Sequence, residues 1–356
     1  NWGRTETADP VRVLHPTSEA HVVTAIQQAA ADGLPVKPVG AGHSFSGIAV
    51  APGVQLELSG LTGLVAADAT TGRVTLRAGT PLHVIPELLA PHGLAMPNLG
   101  DIDRQTFSGA VATGTHGTGL GFGGIATQVV GARVVDGWGE VHVLDEHHKW
   151  LPAVALGLGA LGVVTELTLQ CVPAFLLEAV ERPEPLDRVL DTWDERIRAH
   201  DHVEFYWFPH TRTALTKTNT RLPLEAPTRP LPGWRRRLDD DLMANGVFEA
   251  TCRASSRVPA LAPAVNRAAE RLTGNRTFTD VSTAVFTTRR AVRFREMEYA
   301  VPAAILPDVA RAVVALIERR RWRVSFPLEF RVAAGDDRWL STAHGRDSGY
   351  IAVHRY

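Results

Sequence analysis

Cysteine is nearly absent from this 356-residue chain. Cys171 and Cys252 are far apart and form no Cys-x-x-Cys pair, which argues against a disulfide framework and a structural zinc site. Two buried, reduced thiols are the expectation. Long apolar runs are also missing. No stretch approaches the roughly 18 unbroken apolar residues of a membrane-spanning helix, and Asn1-Trp2-Gly3-Arg4 does not read as a secretory leader. A cytoplasmic location with no integral membrane segment is therefore expected. Nor is there an excess of charge: 37 basic against 38 acidic residues leave a net charge of -1. That removes the global field which draws a protein to nucleic acid or to an anionic membrane, so no nucleic-acid partner is expected.

What is present describes a globular chain with 45% hydrophobic residues, 21% charged residues and 31 glycines. Its length suggests roughly two domains. Glycine density falls around Val172-Pro173-Ala174. The boundary is placed there, giving domains at 1–173 and 174–356. Oligomeric state is not encoded legibly.

Residues 36 to 47, Val-Lys-Pro-Val-Gly-Ala-Gly-His-Ser-Phe-Ser-Gly, break a β-branched run into a glycine turn that presents His43. Gly40 and Gly42 lack a Cβ, so the main chain can approach a flat or anionic ligand closely. On residue chemistry alone an ordinary strand-to-loop turn, its histidine held by neighbours, accounts for the same residues, because one Gly-x-Gly is weak evidence. Residues 104 to 119 form a second unusual stretch, almost wholly of small side chains. Free backbone N–H groups and hydroxyls of this kind suit a pyrophosphate or a flat ring, and a close-packed glycine loop would look the same.

Before the first turn, residues 11 to 15 alternate like a strand. Pro16-Thr17-Ser18 then opens a helical pattern through Val22, Val23 and Ile26 that stops at Gly33. Strand-like segments follow at 54 to 58 and 73 to 78, with a short helix between Pro81 and Pro91. Val129 to Val135 and Val141 to Leu144 flank Asp136-Gly137-Trp138-Gly139, a hairpin signature. Glu146, His147 and His148 lack the spacing of a metal site and read as a solvated loop, so no metal is expected.

Two runs imitate the Gly-x-Gly-x-x-Gly dinucleotide fingerprint, Gly157 to Gly162 and Gly119 to Gly124. That fingerprint needs a helix after it, whose N-terminus meets the pyrophosphate. Gly162 is followed instead by Val-Val-Thr-Glu-Leu-Thr-Leu, an alternating β-branched strand. A nicotinamide-binding Rossmann domain is rejected on that context.

In the second half, helical patterns at 184 to 199, 258 to 272 and 305 to 321 alternate with strand patterns at 203 to 208, 213 to 218, 292 to 300, 324 to 333 and 350 to 355. This suggests a sheet with helices on one face. Leu222 to Asp241, rich in proline and charge, reads as an exposed linker or lid. Within Ser325 to Val332, Phe326, Leu328, Phe330 and Val332 share one strand face while Glu329 and Arg331 project from the other. A carboxylate beside a guanidinium can accept a proton and stabilise developing negative charge. A surface salt bridge contributing about 0 to 1 kcal/mol fits the same residues.

Five motifs taken in order resemble one family. They are Val39 to Ser46, Ser108 to Gly119, Gly157 to Val164, Glu296 to Pro302 and Glu329-Phe330-Arg331. The chain is similar to the aldonolactone oxidoreductases, the sugar-1,4-lactone oxidases and dehydrogenases within the vanillyl-alcohol-oxidase flavoproteins, which are related to the alditol oxidases. The resemblance implies an α+β chain with a two-domain FAD-binding fold and a mixed-sheet substrate (cap) domain. It also implies FAD bound covalently through His43. Val39, Gly40, Ala41, Gly42, Ser44, Phe45, Ser108, Gly109, Thr113, Gly114, Thr115, His116, Gly117, Gly162 and Val164 would complete the cofactor site.

By the same resemblance Glu329 orients and deprotonates a substrate hydroxyl, and Arg331 stabilises the negative charge as hydride passes to flavin N5. The implied substrate is a lactone of the L-gulono-, L-galactono- or D-arabinono-1,4 type. An open-chain polyol such as xylitol or sorbitol is the alternative, and a flavin-binding protein without turnover is another. Oxygen or another electron acceptor would reoxidise the flavin. Members of the family continue for some tens of residues beyond the position of Tyr356, with a Gly-Arg-Pro-His-Trp-Gly-Lys-like segment that this sequence does not contain.

Overall fold

Ser18 starts the first helix, Glu19–Ala31, by accepting a hydrogen bond from the His21 N–H at 3.2 Å, and the chain leaves it through Gly33 at φ +67°. The helix buries Val22, Ala25, Ile26 and Ala29 in one cluster with Val54, Leu56, Val135 and Val163. Its N-terminal Glu19 meets Arg133 in a paired bond (2.6 and 3.0 Å) and accepts from the Thr165 hydroxyl at 2.8 Å. These bonds hold the Glu19 carboxyl below its ordinary range, Arg133 contributing most.

The computed structural model describes residues 1–236, 245–272, 274–288 and 292–356. Its contacts divide the chain into two units. The first comprises Asn1–His116, Gly123–Ala174 and Asp336–His344; the second comprises Gly117–Phe122, Phe175–Gly335 and Gly345–Tyr356. Two short segments therefore belong to a different unit from their neighbours in sequence, which a single cut at residue 173 does not capture.

The strands of the first unit are β1 (Arg12–Leu14), β2 (Val36–Val39), β3 (Val54–Glu57), β4 (Leu64–Asp68), β5 (Arg73–Arg77), β6 (Leu94–Ala95), β7 (Val129–Val135), β8 (Val141–Leu144), β9 (Val163–Gln170) and β10 (Val172–Pro173). The first three form a parallel sheet in the order β1-β3-β2, and β4-β5-β9-β7-β8 form an antiparallel one. β6 and β10 pair separately. The expected hairpin is present as β7 and β8, with the Asp136 carboxylate accepting from the N–H groups of Trp138 and Glu140. Gly162 enters β9 directly, and β9 runs antiparallel to both β5 and β7. No helix follows the glycine run, in agreement with the rejection of a Rossmann domain.

The second unit is built on a seven-stranded sheet. Its strands are β11 (Phe175–Pro185), β12 (His202–Trp207), β13 (Thr213–Pro223), β14 (Arg276–Val281), β15 (Arg295–Pro302), β16 (Leu328–Ala333) and β17 (Ser348–Arg355), in the order β14-β11-β13-β12-β16-β17-β15. Helices Leu186–Asp191, Trp193–Ala199 and Leu306–Arg320 cover one face, burying Trp193, Ile197 and Leu306 against Phe205, Phe330 and Ile351. Phe205 and Phe330 stack at 4.5 Å across β12 and β16. These three helices lie on one face, and the polar residues of β12, β16 and β17 project from the other, where Phe286 of helix Ser282–Phe286 packs edge-on against His202, so the sheet is not covered by helices on one face alone. Of the expected linker or lid, Leu222 and Pro223 end β13, residues 224 to 232 form turn and irregular backbone, a short helix runs over Gly233–Arg236, and 237 to 241 lie outside the described residues.

Candidate functional site

Just beyond β2 the backbone leaves no room for a side chain unless a neighbour moves. A Cβ on Gly40 would lie 2.2 Å from Thr106 Oγ1, and Gly42 takes φ +67°. The turn they make forms one wall of a groove with an empty volume of about 890 Å3, mouth included. His43 lies in that wall with its ring stacked on Trp2 at 5.6 Å and 21°. Burial lowers the His43 pKa and keeps the imidazole neutral at neutral pH.

A second wall is helix Phe107–Ala112, which the small-residue stretch forms in place of an open loop. It contributes Ser108, Gly109 and Ala112, and Thr113 follows. The third wall runs from Gly157 to Val164. Leu158 and Gly159 both take positive φ, and Gly162 sits at φ +143° with its main chain against Val135, where a Cβ would approach the Val135 carbonyl to 2.4 Å. Lys37 crosses from β2 and donates to the Leu158 carbonyl at 2.9 Å.

Of the residues expected to bind cofactor, Val39, Gly40, Ala41, Gly42, His43, Ser44, Ser108, Gly109, Thr113, Gly162 and Val164 line this groove. Phe45, Gly114, Thr115 and His116 do not. Phe45 packs edge-on against Trp2, a Cβ on Gly114 would touch Leu156, and Thr115 bonds Gln105. His116 is buried, and Gly117 falls in the second unit. Lys37, Gln105, Thr106, Gly157 and Gly159 also line the groove and were not singled out. Gly157 and Gly159 had a visible signal, the run set aside as a false fingerprint. The wall turns through left-handed backbone at Leu158 and Gly159 rather than through a helix N-terminus.

The groove fits a flat, anionic dinucleotide such as FAD. Bare main chain faces it where glycines admit no Cβ, its walls combine Val134, Val154 and Val164 with hydroxyls, and Thr106 Oγ1 is buried with no hydrogen-bond partner among the described residues.

The second cluster lies on the polar face of the seven-stranded sheet. Glu329 Oε1 accepts from Arg331 Nε at 2.6 Å, from Arg331 Nη2 at 2.5 Å and from the Tyr206 hydroxyl at 2.8 Å. All of this falls on one oxygen, and Oε2 accepts no bond from the described residues. The side chains of Glu329 and Arg331 are 6% and 14% exposed, which excludes the surface salt bridge that the sequence also allowed. Arg331 is opposed by burial but supported by Glu329, Glu204 and Glu298, and its pKa is raised well above the ordinary value. It is a permanent cation.

Elsewhere, Cys171 and Cys252 are buried free thiols, as expected, and burial pushes both up to about 12. Glu146 pairs with Arg73 in the turn after β8. Among the described residues no helix is long and apolar enough to cross a membrane.

Residues 10–145 match the family model described as FAD binding domain, and residues 167–356 match the one described as D-arabinono-1,4-lactone oxidase. The chain is 40% identical over 356 residues to an L-gulono-1,4-lactone dehydrogenase of Mycobacterium tuberculosis, covering 100% of this chain and 82% of that protein. It is 30% identical over 363 residues to an L-gulonolactone oxidase of Bos taurus, covering 100% of this chain and 81% of that protein. Among solved structures, cholesterol oxidase from Brevibacterium sterolicum superposes with a TM-score of 0.81 at 18% identity, covering 96% of this chain and 76% of that one. That likeness concerns the fold alone.

Proposed function

Because the chain belongs to the D-arabinono-1,4-lactone oxidase family, we propose that it oxidises a hydroxyl of an aldono-1,4-lactone of the L-gulono, L-galactono or D-arabinono type to the keto-lactone. The observation that carries the chemistry is the one-sided bonding of Glu329. Three donors hold Oε1, leaving Oε2 to take the proton of a substrate hydroxyl. Arg331 spends Nε and Nη2 on the carboxylate, and Nη1 is left to donate to the oxygen as negative charge develops. Burial strengthens both interactions and fixes their geometry on a rigid strand.

Bound FAD supplies the two-electron acceptor for the hydride released from the carbinol carbon. The turn at Val39 to Ser44, with Ser108, Gly109 and Thr113, would hold it through main-chain N–H groups and hydroxyls. His43 is the covalent anchor in this reading: its neutral ring nitrogen is the nucleophile that such a bond requires. Electrons then pass to oxygen or to another acceptor.

The test is turnover of L-gulono-, L-galactono- and D-arabinono-1,4-lactone, measured with oxygen and with an artificial electron acceptor. Oxidation of at least one lactone is expected. Oxidation of xylitol or sorbitol with no lactone turned over, or a yellow protein that oxidises nothing in the panel, overturns the reading.

A further inference from the structure

Tyr206 stands between two buried carboxylates. It lies opposite Glu329 in the pairing of β12 with β16, and Glu204, two residues back on β12, shares its face and lies opposite Lys217 on β13. The Tyr206 hydroxyl is 2.8 Å from Glu329 Oε1 and 3.4 Å from Glu204 Oε1. Lys217 Nζ is 3.2 Å from the same Glu204 oxygen, and Glu204 Oε2 is 3.7 Å from Arg331 Nε. A phenol has one proton to donate, so it cannot serve both acids. The shorter contact goes to Glu329, and the ammonium of Lys217 meets the demand of Glu204.

Building on the assignment of Glu329 as the proton acceptor, we propose that Tyr206 is a positioning residue for Glu329, and that the Glu204 and Lys217 pair directs the tyrosine proton to it. Oε1 stays saturated, the carboxylate cannot rotate, and Oε2 alone meets the substrate hydroxyl. The Glu204 carboxylate has a second effect, because it lies near Arg331 and divides the field of that cation between two acids.

The charges around Glu329 come from four neighbouring strands as well as its own. Arg331 lies on β16, Tyr206 and Glu204 on β12, Lys217 on β13, Tyr350 and His354 on β17, and Glu296 and Glu298 on β15. Each substitution therefore has a defined sign. Loss of the tyrosine donor destabilises the Glu329 anion, loss of the Glu204 charge stabilises it, and loss of Lys217 destabilises it.

The experiment is the pH dependence of anaerobic flavin reduction by lactone in the holoenzyme, comparing wild type with Tyr206→Phe, Glu204→Gln, Lys217→Gln and Glu329→Gln. In Tyr206→Phe the acid limb moves up by about one pH unit and the rate falls about tenfold on the acid side of the limb. In Glu204→Gln the limb moves down, and in Lys217→Gln it moves up. General loosening of the site cannot move it both ways. If the rates fall but the limb stays in place in all three variants, the proposal is wrong. If the limb persists in Glu329→Gln, the assignment of Glu329 itself is wrong. Loss of the limb in Glu329→Gln with no movement in the other three variants overturns only the role of Tyr206. If Tyr206→Phe does not fold, 3-fluorotyrosine at position 206 replaces it: the more acidic phenol donates more strongly, so the limb moves down if Tyr206 holds Glu329, and a limb that stays in place overturns the role of Tyr206.

Discussion

Thr106 Oγ1 occupies the space that a side chain at position 40 would need: a Cβ added to Gly40 would lie 2.2 Å from it. The two residues come from different walls of the groove, β2 and the start of helix Phe107–Ala112, and their contact sets how closely the walls approach. Gly40→Ala is expected to push them apart, costing about 1 to 3 kcal/mol and most of the bound FAD. Adding Thr106→Ala removes the colliding oxygen and leaves only ordinary contacts. The double variant should regain its melting temperature without regaining full FAD occupancy, because the buried hydroxyl is lost. Melting curves and the flavin-to-protein absorbance ratio check both parts.

Arg331 holds Glu329 by two nitrogens and faces Glu204. Arg331→Ala leaves buried carboxylates uncompensated and should cost about 3 to 5 kcal/mol in denaturant unfolding. Arg331→Lys keeps the charge but loses the fork. It is expected to fold near normally and to reduce flavin at least about tenfold more slowly. Equal reduction rates for Arg331→Lys and wild type would show that the guanidinium geometry is irrelevant.

His202 is buried between the rings of Phe122 and Phe286, and burial lowers its pKa to about 4 despite the bond of Nδ1 to the Thr118 carbonyl. The unfolded chain takes up this proton near pH 6.5 and the folded chain does not. Stability from this group is thus fully present above about 6.5 and falls as pH drops toward about 4, by roughly 3 kcal/mol in all. His354 has a raised pKa and acts in the opposite sense, its contribution present at low pH and lost as pH rises through its folded value. The difference between wild type and His202→Gln isolates the first effect: the substitution should flatten the fall between pH 6.5 and 4.

Much of this arrangement was legible in the sequence because it is local. The Ser18 cap, the β7 and β8 hairpin, the strand after Gly162 and the alternation around Glu329 each follow from neighbours a few residues away. β11 was not anticipated, because Pro183 and Pro185 argue against a sheet interior. The structure shows why they are tolerated: β14 pairs only with Leu176 to Glu181, so both prolines lie where β11 has a single strand neighbour. Tyr206, Glu204 and Lys217 were invisible for a different reason. Their relation to Glu329 is a cross-strand register between segments more than 100 residues apart, with Tyr206 and Glu329 separated by 123. Thr106 looks like any other small polar residue until Gly40 is placed against it.

The proposed function makes His43 the covalent anchor, and acid precipitation of the holoenzyme tests that proposal. The pellet should carry flavin fluorescence, and His43→Ala should release its flavin to the supernatant while still binding FAD through the remaining groove. A colourless pellet from yellow wild-type protein would refute the link without touching the lactone assignment.

The central claim is tested most directly by mixing the oxidised holoenzyme anaerobically with L-gulono-, L-galactono- or D-arabinono-1,4-lactone and following the visible flavin absorbance. Bleaching by at least one lactone is expected, slowed about 100-fold or more in Glu329→Gln with the flavin still bound. Absence of bleaching with every lactone, or equal rates in wild type and Glu329→Gln, would contradict the account.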